Sequence, residues 1–149
     1  MELLQEVEAL KRVPLFAKLE PSKLKLLAFT SESLTFDEGE ILFRAGDPAD
    51  AAYVIMNGQV DILAETEAGE ILAGTLEAGQ LVGEMAVLTN EPRSATIVAE
   101  EPTRVLMLAG ARLKEFVMQT PEMAFQIFSV LTTRIREVQQ RLDQAVNPR

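Results

Sequence analysis

The segment "GEMAVLTNEPRSAT", residues 83–96, brings together a glycine, a carboxylate, a guanidinium and a hydroxyl. Glu84 and Arg93 stand nine residues apart, on either side of an apolar run and Pro92. Between Gly83 and the pair Asn90 and Pro92, the residues Glu84, Met85, Ala86 and Val87 have room for a single helical turn. Such a turn exposes its first backbone N–H groups and its dipole favours an anion there, which makes a small phosphate site. Gly83 lets a ligand approach the backbone closely. Arg93 is a planar donor for the same phosphate, and Ser94 adds a hydroxyl and an amide. A carboxylate is the natural acceptor for a sugar hydroxyl, so Glu84 beside phosphate-binding amides reads as ribose plus phosphate in one ligand. The residues alone leave a second reading open, in which Glu84 and Arg93 form an ordinary salt bridge and the segment is structural.

Catalysis has few residues to work with. The 149-residue chain contains neither histidine nor cysteine. Imidazole-based zinc or iron sites, cysteine nucleophiles and disulfides are excluded, and the usual acid–base residue near neutral pH is missing. We therefore expect a protein that is not an enzyme, with no catalytic residue, no metal site and no cofactor. The acidic balance, 23 Asp and Glu against 14 Lys and Arg for a net charge of −9, opposes direct binding to a nucleic-acid polymer. No apolar run reaches the ~20 residues of a membrane span, and the acidic N-terminus lacks a signal peptide's basic start. The expectation is a cytoplasmic protein without a membrane partner.

The surrounding elements must position the segment. Leu3, Leu4, Val7 and Leu10 recur at helical spacing until Pro14, and Leu24, Leu27 and Ala28 give a second short helix with Ser22 as its expected N-cap. Residues 1–30 thus form a helical lead-in. Residues 33–108 change texture to short runs such as "SLTF", "EILF", "AAYVIM", "QVDILAE" and "SATIVA", separated by turns at Gly39, Gly46, Asn57-Gly58, Gly69 and Gly79. Asn57-Gly58 is the strongest hairpin signal among them. Residues 110–146 return to helical period. In the last helix Phe128, Leu131, Ile135, Val138, Leu142 and Ala145 alternate spacings of three and four, a heptad seam that outruns a compact domain and points to a homodimer. The expected fold is α+β and spans 1–149 as a single domain. It is an antiparallel β-roll or jelly roll with short N-terminal helices, a one-turn phosphate-binding helix and a long C-terminal helix.

In that frame, "GEMAVLTNEPRSAT" resembles the phosphate-binding cassette of the cyclic nucleotide-binding domain family, which runs Gly-Glu, two small or apolar residues, a short loop, then Pro-Arg-(Ala/Ser/Thr)-Ala-Thr. "VPLFAKLEPSKLKLLA" is similar to the family's helical lead-in, so the resemblance covers about Val13 to Leu142. It implies that Glu84, beside Gly83, accepts the ribose 2′-hydroxyl and that Arg93 pairs with the cyclic phosphate. Backbone amides near Ala86, with Ser94 and Ala95, complete the cradle. The base is expected against Ile62, Ala73 and Val82, under a lid from the last helix at Arg134, Ile135 and Val138. Val82 departs from the aromatic or bulkier residue many members carry there. Ser94, where cyclic GMP binders often have Thr, tilts the ligand towards cyclic AMP, with cyclic GMP the other candidate.

Two functions compete. One is a sensory module that relays ligand binding through its last helix to an effector protein that the sequence does not name. The other is a dimerisation scaffold that kept the roll and binds no nucleotide. A histidine-built cupin enzyme fails on composition, and with no helix-turn-helix segment in the chain, direct DNA binding would need another subunit.

Overall fold

The computed structural model describes residues 3–146, without the side chains of residues 130, 134, 138, 145 and 146. Helix α1 (Leu3–Lys11) stops short of an extended Val13, the conformation a following proline imposes, and a 3-10 turn covers Pro14–Phe16. Helix α2 (Pro21–Phe29) starts two residues earlier than expected: Glu20 is the N-cap and Pro21 takes the first helical position, so Ser22 lies inside the helix. Proline suits that place because its missing N–H would have no partner there anyway.

Eight strands follow: β1 (Glu32–Phe36), β2 (Ile41–Phe43), β3 (Ala51–Asn57), β4 (Gln59–Thr66), β5 (Gly69–Glu77), β6 (Leu81–Val82), β7 (Thr96–Ala99) and β8 (Thr103–Ala109). They form two antiparallel four-stranded sheets, ordered β1-β8-β3-β6 and β2-β7-β4-β5. This is the α+β jelly roll expected from the sequence. Asn57-Gly58 corrects one expectation, because β3 and β4 lie in different sheets and do not form a hairpin. The dipeptide is the corner where the chain changes sheet. Gly58 has φ of 103°, and a Cβ there would stand 2.4 Å from Thr103 Oγ1 and 2.7 Å from the Pro102 carbonyl oxygen. Glycine is needed for close approach as much as for the backbone turn.

The sheet containing β3 is sandwiched. Ala52 and Val54 face a helical core built from Leu10, Phe16, Leu24, Leu27, Leu113 and Phe116, while Tyr53 and Ile55 face the interior of the roll with Val60, Val82, Ile97 and Val105. Burial on both faces explains why "AAYVI" is continuously apolar instead of alternating. Each fully buried aliphatic or aromatic side chain contributes roughly 1.5–3 kcal/mol. Truncating Phe16, which is fully buried, to alanine removes roughly 3–5 kcal/mol and unseats the lead-in.

After β8, α4 (Gly110–Gln119) buries Leu113 and Phe116 against the roll. Helix α5 (Pro121–Val146) is 26 residues, about 39 Å at the α-helical rise. Met123 and Ile127 reach the helical core, but Phe128, Ile135 and Leu142 are 73%, 57% and 60% exposed. No helix among the described residues is long and apolar enough to cross a membrane.

Candidate functional site

Gly83 closes β6 and caps α3 (Glu84–Thr89) in the left-handed region, with φ of 78°. A Cβ there would meet Arg93 Nη1 at 2.5 Å and the Phe43 ring at 3.2 Å, so the site requires glycine twice over. Helix α3 has six residues, nearer two turns than the one expected. Val87, fully buried in the helical core, anchors it, and Asn90 ends it in the left-handed conformation that asparagine tolerates, its N–H directed to the carbonyls of Ala86 and Val87.

The chain then returns to the roll under tight control. The Arg93 N–H donates to the Asp47 carbonyl (2.9 Å), and the Gly46 N–H donates to the Arg93 carbonyl (2.8 Å). Thr96, buried at the head of β7, accepts from the Ala45 N–H at 3.0 Å. The segment after Pro92 is therefore stitched to the loop between β2 and β3.

Arg93 itself is only 3% exposed. Its Nη1 donates to the Gly83 carbonyl at 2.8 Å and its Nη2 to the Ala51 carbonyl. The guanidinium lies over the Phe43 ring, Cζ 3.9 Å from the centroid, and Phe43 stacks on Tyr53 at 5.9 Å and 27°. Nε is buried and has no partner among the described residues. Burial pushes the guanidinium pKa below its usual value, opposed by the charges of Tyr53, Asp50, Asp47 and Glu84. Burial likewise raises the Tyr53 phenol above its ordinary value of 10.0, opposed by Arg93. A buried cation with an unmet donor, beside a buried carboxylate at Glu84, is suited to one compact anion that also carries a hydroxyl.

A cavity of about 250 Å³ collects Gly83, Glu84, Ala86, Arg93, Ser94 and Ala95, with Ile62 and Val82 on its apolar wall. Phe43, Leu76, Leu81, Met85 and Ile97 also line it, and none of these was singled out from sequence. Their signal was ordinary: apolar residues in strands or beside the cassette, indistinguishable from core. Ala73 is not brought to the cavity. Ile62 pairs with Gly74 and Leu63 with Leu72, which leaves Ala73 as the extra residue of a β-bulge, exposed to solvent. Ile135 is not brought there either; it is exposed far along α5, whereas Ile127 lies nearer. The side chains of Arg134 and Val138 lie outside the described residues. Ile127 lines a second cavity, of about 200 Å³, with Val13, Leu15, Leu76, Leu81, Glu84 and Met85. The last four residues form a wall common to both cavities.

Fold and site together define a jelly roll with a cavity lined by a buried guanidinium and a buried carboxylate, and the comparisons with known proteins are more specific. Residues 33–120, more than half of the chain, match the family model of the cyclic nucleotide-binding domain. The chain belongs to this family of regulatory ligand-binding domains. It is 36% identical over 125 residues to a Rhodopseudomonas palustris protein named as a potassium channel protein, covering 83% of this chain and 30% of that one. It is 30% identical over 135 residues to the cyclic AMP receptor protein of Thermus thermophilus, covering 90% of this chain and 62% of the receptor. The crystal structure of the sensor domain of the transcriptional regulator DNR from Pseudomonas aeruginosa superposes with a TM-score of 0.80 at 26% identity, over 96% of each chain. The chain thus spans less than two thirds of the length of the channel protein and of the receptor.

Proposed function

We propose that this domain binds cyclic AMP in the cavity at Arg93, with cyclic GMP as the weaker ligand, and relays occupancy through α5. The observation that carries the reading is the buried Arg93, whose Nε has no partner among the described residues, in the lining of the same 250 Å³ cavity as Glu84, Ser94 and Ala95. A phosphate oxygen would satisfy that donor, Ser94, Ala95 and the amides near Ala86 would complete the cradle, and Glu84 would take the ribose 2′-hydroxyl. The name of the Thermus receptor and the serine at position 94 both favour cyclic AMP.

Relay requires that the ligand bind one arrangement of α5 better than another. Ile127, on the wall next to the cavity, is the α5 residue placed to feel that difference. Phe128, Ile135 and Leu142, exposed at seven-residue spacing, support assembly as a homodimer through the same helix, and an effector protein would read the change. The domain works without a metal or cofactor, performs no catalytic step, binds no nucleic-acid polymer directly and acts in the cytoplasm.

One observation favours a second reading, a dimerisation scaffold. Arg93 already donates to two carbonyls of its own chain, as a structural arginine would. Calorimetric titration with cyclic AMP and cyclic GMP, with the oligomer mass measured alongside, separates the two. Saturable heat at one site per chain supports the sensor, and no heat with either nucleotide leaves the scaffold.

A further inference from the structure

We propose that Phe43 is a positioning residue for Arg93: a stacking plate that fixes the plane of the guanidinium before any ligand arrives. The proposal rests on the reading of Arg93 as the phosphate partner, and it gives a role to a residue outside the motif. Phe43 lies on β2, 50 residues from Arg93 in sequence, is 9% exposed, and meets the face of the guanidinium at 3.9 Å.

Three contacts among the described residues hold the Arg93 guanidinium. The Gly83 and Ala51 carbonyls take one N–H from each terminal nitrogen in the plane of the group, and the ring covers one face of it. The carbonyls set position, and the ring prevents tilt. A guanidinium has five N–H groups, so those two bonds leave three that make no bond to the described residues, the buried Nε–H among them.

The plate is itself rigid. Tyr53 stacks on the ring at 5.9 Å, and the Gly83 backbone closes on its edge so tightly that a Cβ there would lie 3.2 Å away. An aliphatic residue at position 43 would fill much of the volume but has no quadrupole to attract a cation. Without that attraction the carboxylates of Asp50, Asp47 and Glu84, whose charges already act on Arg93, compete for the group. An arginine that must be drawn back and ordered binds phosphate more weakly than one already in place.

The test uses Phe43→Leu in the full chain, with Phe43→Met as the substitute if thermal melting shows that the leucine variant does not fold. Hydrogen exchange of the Arg93 Nε–H is followed by NMR without ligand, and cyclic AMP affinity is measured by titration. We expect Nε–H exchange at least about ten-fold faster than in the parent, unchanged exchange of the β2 and β7 backbone amides, and affinity about ten-fold lower. Unchanged Nε–H exchange overturns the proposal, as does faster exchange with unchanged affinity. The Arg93→Ala variant is the control for the reading underneath. If it binds cyclic AMP like the parent, the phosphate assignment falls; if it loses binding while Phe43→Leu does not, only the positioning role falls.

Discussion

Arg93 and Ile135 sit in environments opposite to their chemistry: a guanidinium 3% exposed inside the roll, and an aliphatic side chain 57% exposed on α5. Burying a cation costs free energy unless it is paired, and exposing a row of apolar side chains leaves a surface that association can cover. The two regions solve the problem differently. Around Arg93 the chain supplies its own partial answer, with two carbonyls, an aromatic plate and a glycine that keeps the space open. Along α5 the described residues past Ile127 supply no comparable cover for Phe128, Ile135 and Leu142. A pocket prepared by its own backbone fits a small rigid ligand, and an uncovered helix face fits a second macromolecule.

The strongest way to break the contrast is to empty the pocket. Arg93→Ala leaves a buried phosphate without its charged partner, and the expected loss is about 2–5 kcal/mol, or roughly thirty-fold to several-thousand-fold in cyclic AMP affinity by calorimetry. The oligomer mass should not change. Gly83→Ala attacks the space and not the charge. At φ of 78° with Arg93 Nη1 only 2.5 Å from the new Cβ, it should weaken binding about ten-fold or more and lower stability by about 1–2 kcal/mol in denaturant melts.

On the other side, Ile135→Asp places a charge in the α5 seam. Light scattering should show the homodimer we propose falling to monomer at micromolar concentration, while cyclic AMP affinity stays within about three-fold of the parent. A dimer that survives intact would mean that the exposed row serves some other contact. The smallest effect concerns the ring stacked behind Phe43. Tyr53, the only tyrosine, has its folded pKa raised above the unfolded value of 10.0 by burial, so the stability it lends is present below pH 10 and lost as the pH climbs through the folded value. Alkaline unfolding followed by phenolate absorbance should begin above pH 10, and Tyr53→Phe should flatten that part of the stability curve.

Much of the roll was legible because local chemistry decides it. Gly39, Gly46, Gly69 and Gly79 all adopt positive φ at strand ends, where the turn pattern put them. What local chemistry does not carry was misjudged or missed. Asn57-Gly58 has a hairpin's composition, but β4 pairs instead with β5, which follows it directly, and with β7, far along the chain. The two-residue β6 is too short to show a period. Ala73 looks like any inward strand residue until the bulge shifts it. Of the site, the cassette residues stand together because the motif is contiguous, whereas Phe43 joins them only through the fold. Nothing in "EILF" distinguishes a ring under a cation from a ring in a core.

The wall shared by the two cavities has a consequence for how this domain can change over generations. Leu81 and Met85 line both the cavity at Arg93 and the one that Val13 and Leu15 also line. A larger side chain at either position narrows both chambers at once, and a smaller one widens both. Ligand fit and the seating of the N-terminal segment are thus inherited together: a mutation that reshapes one reshapes the other.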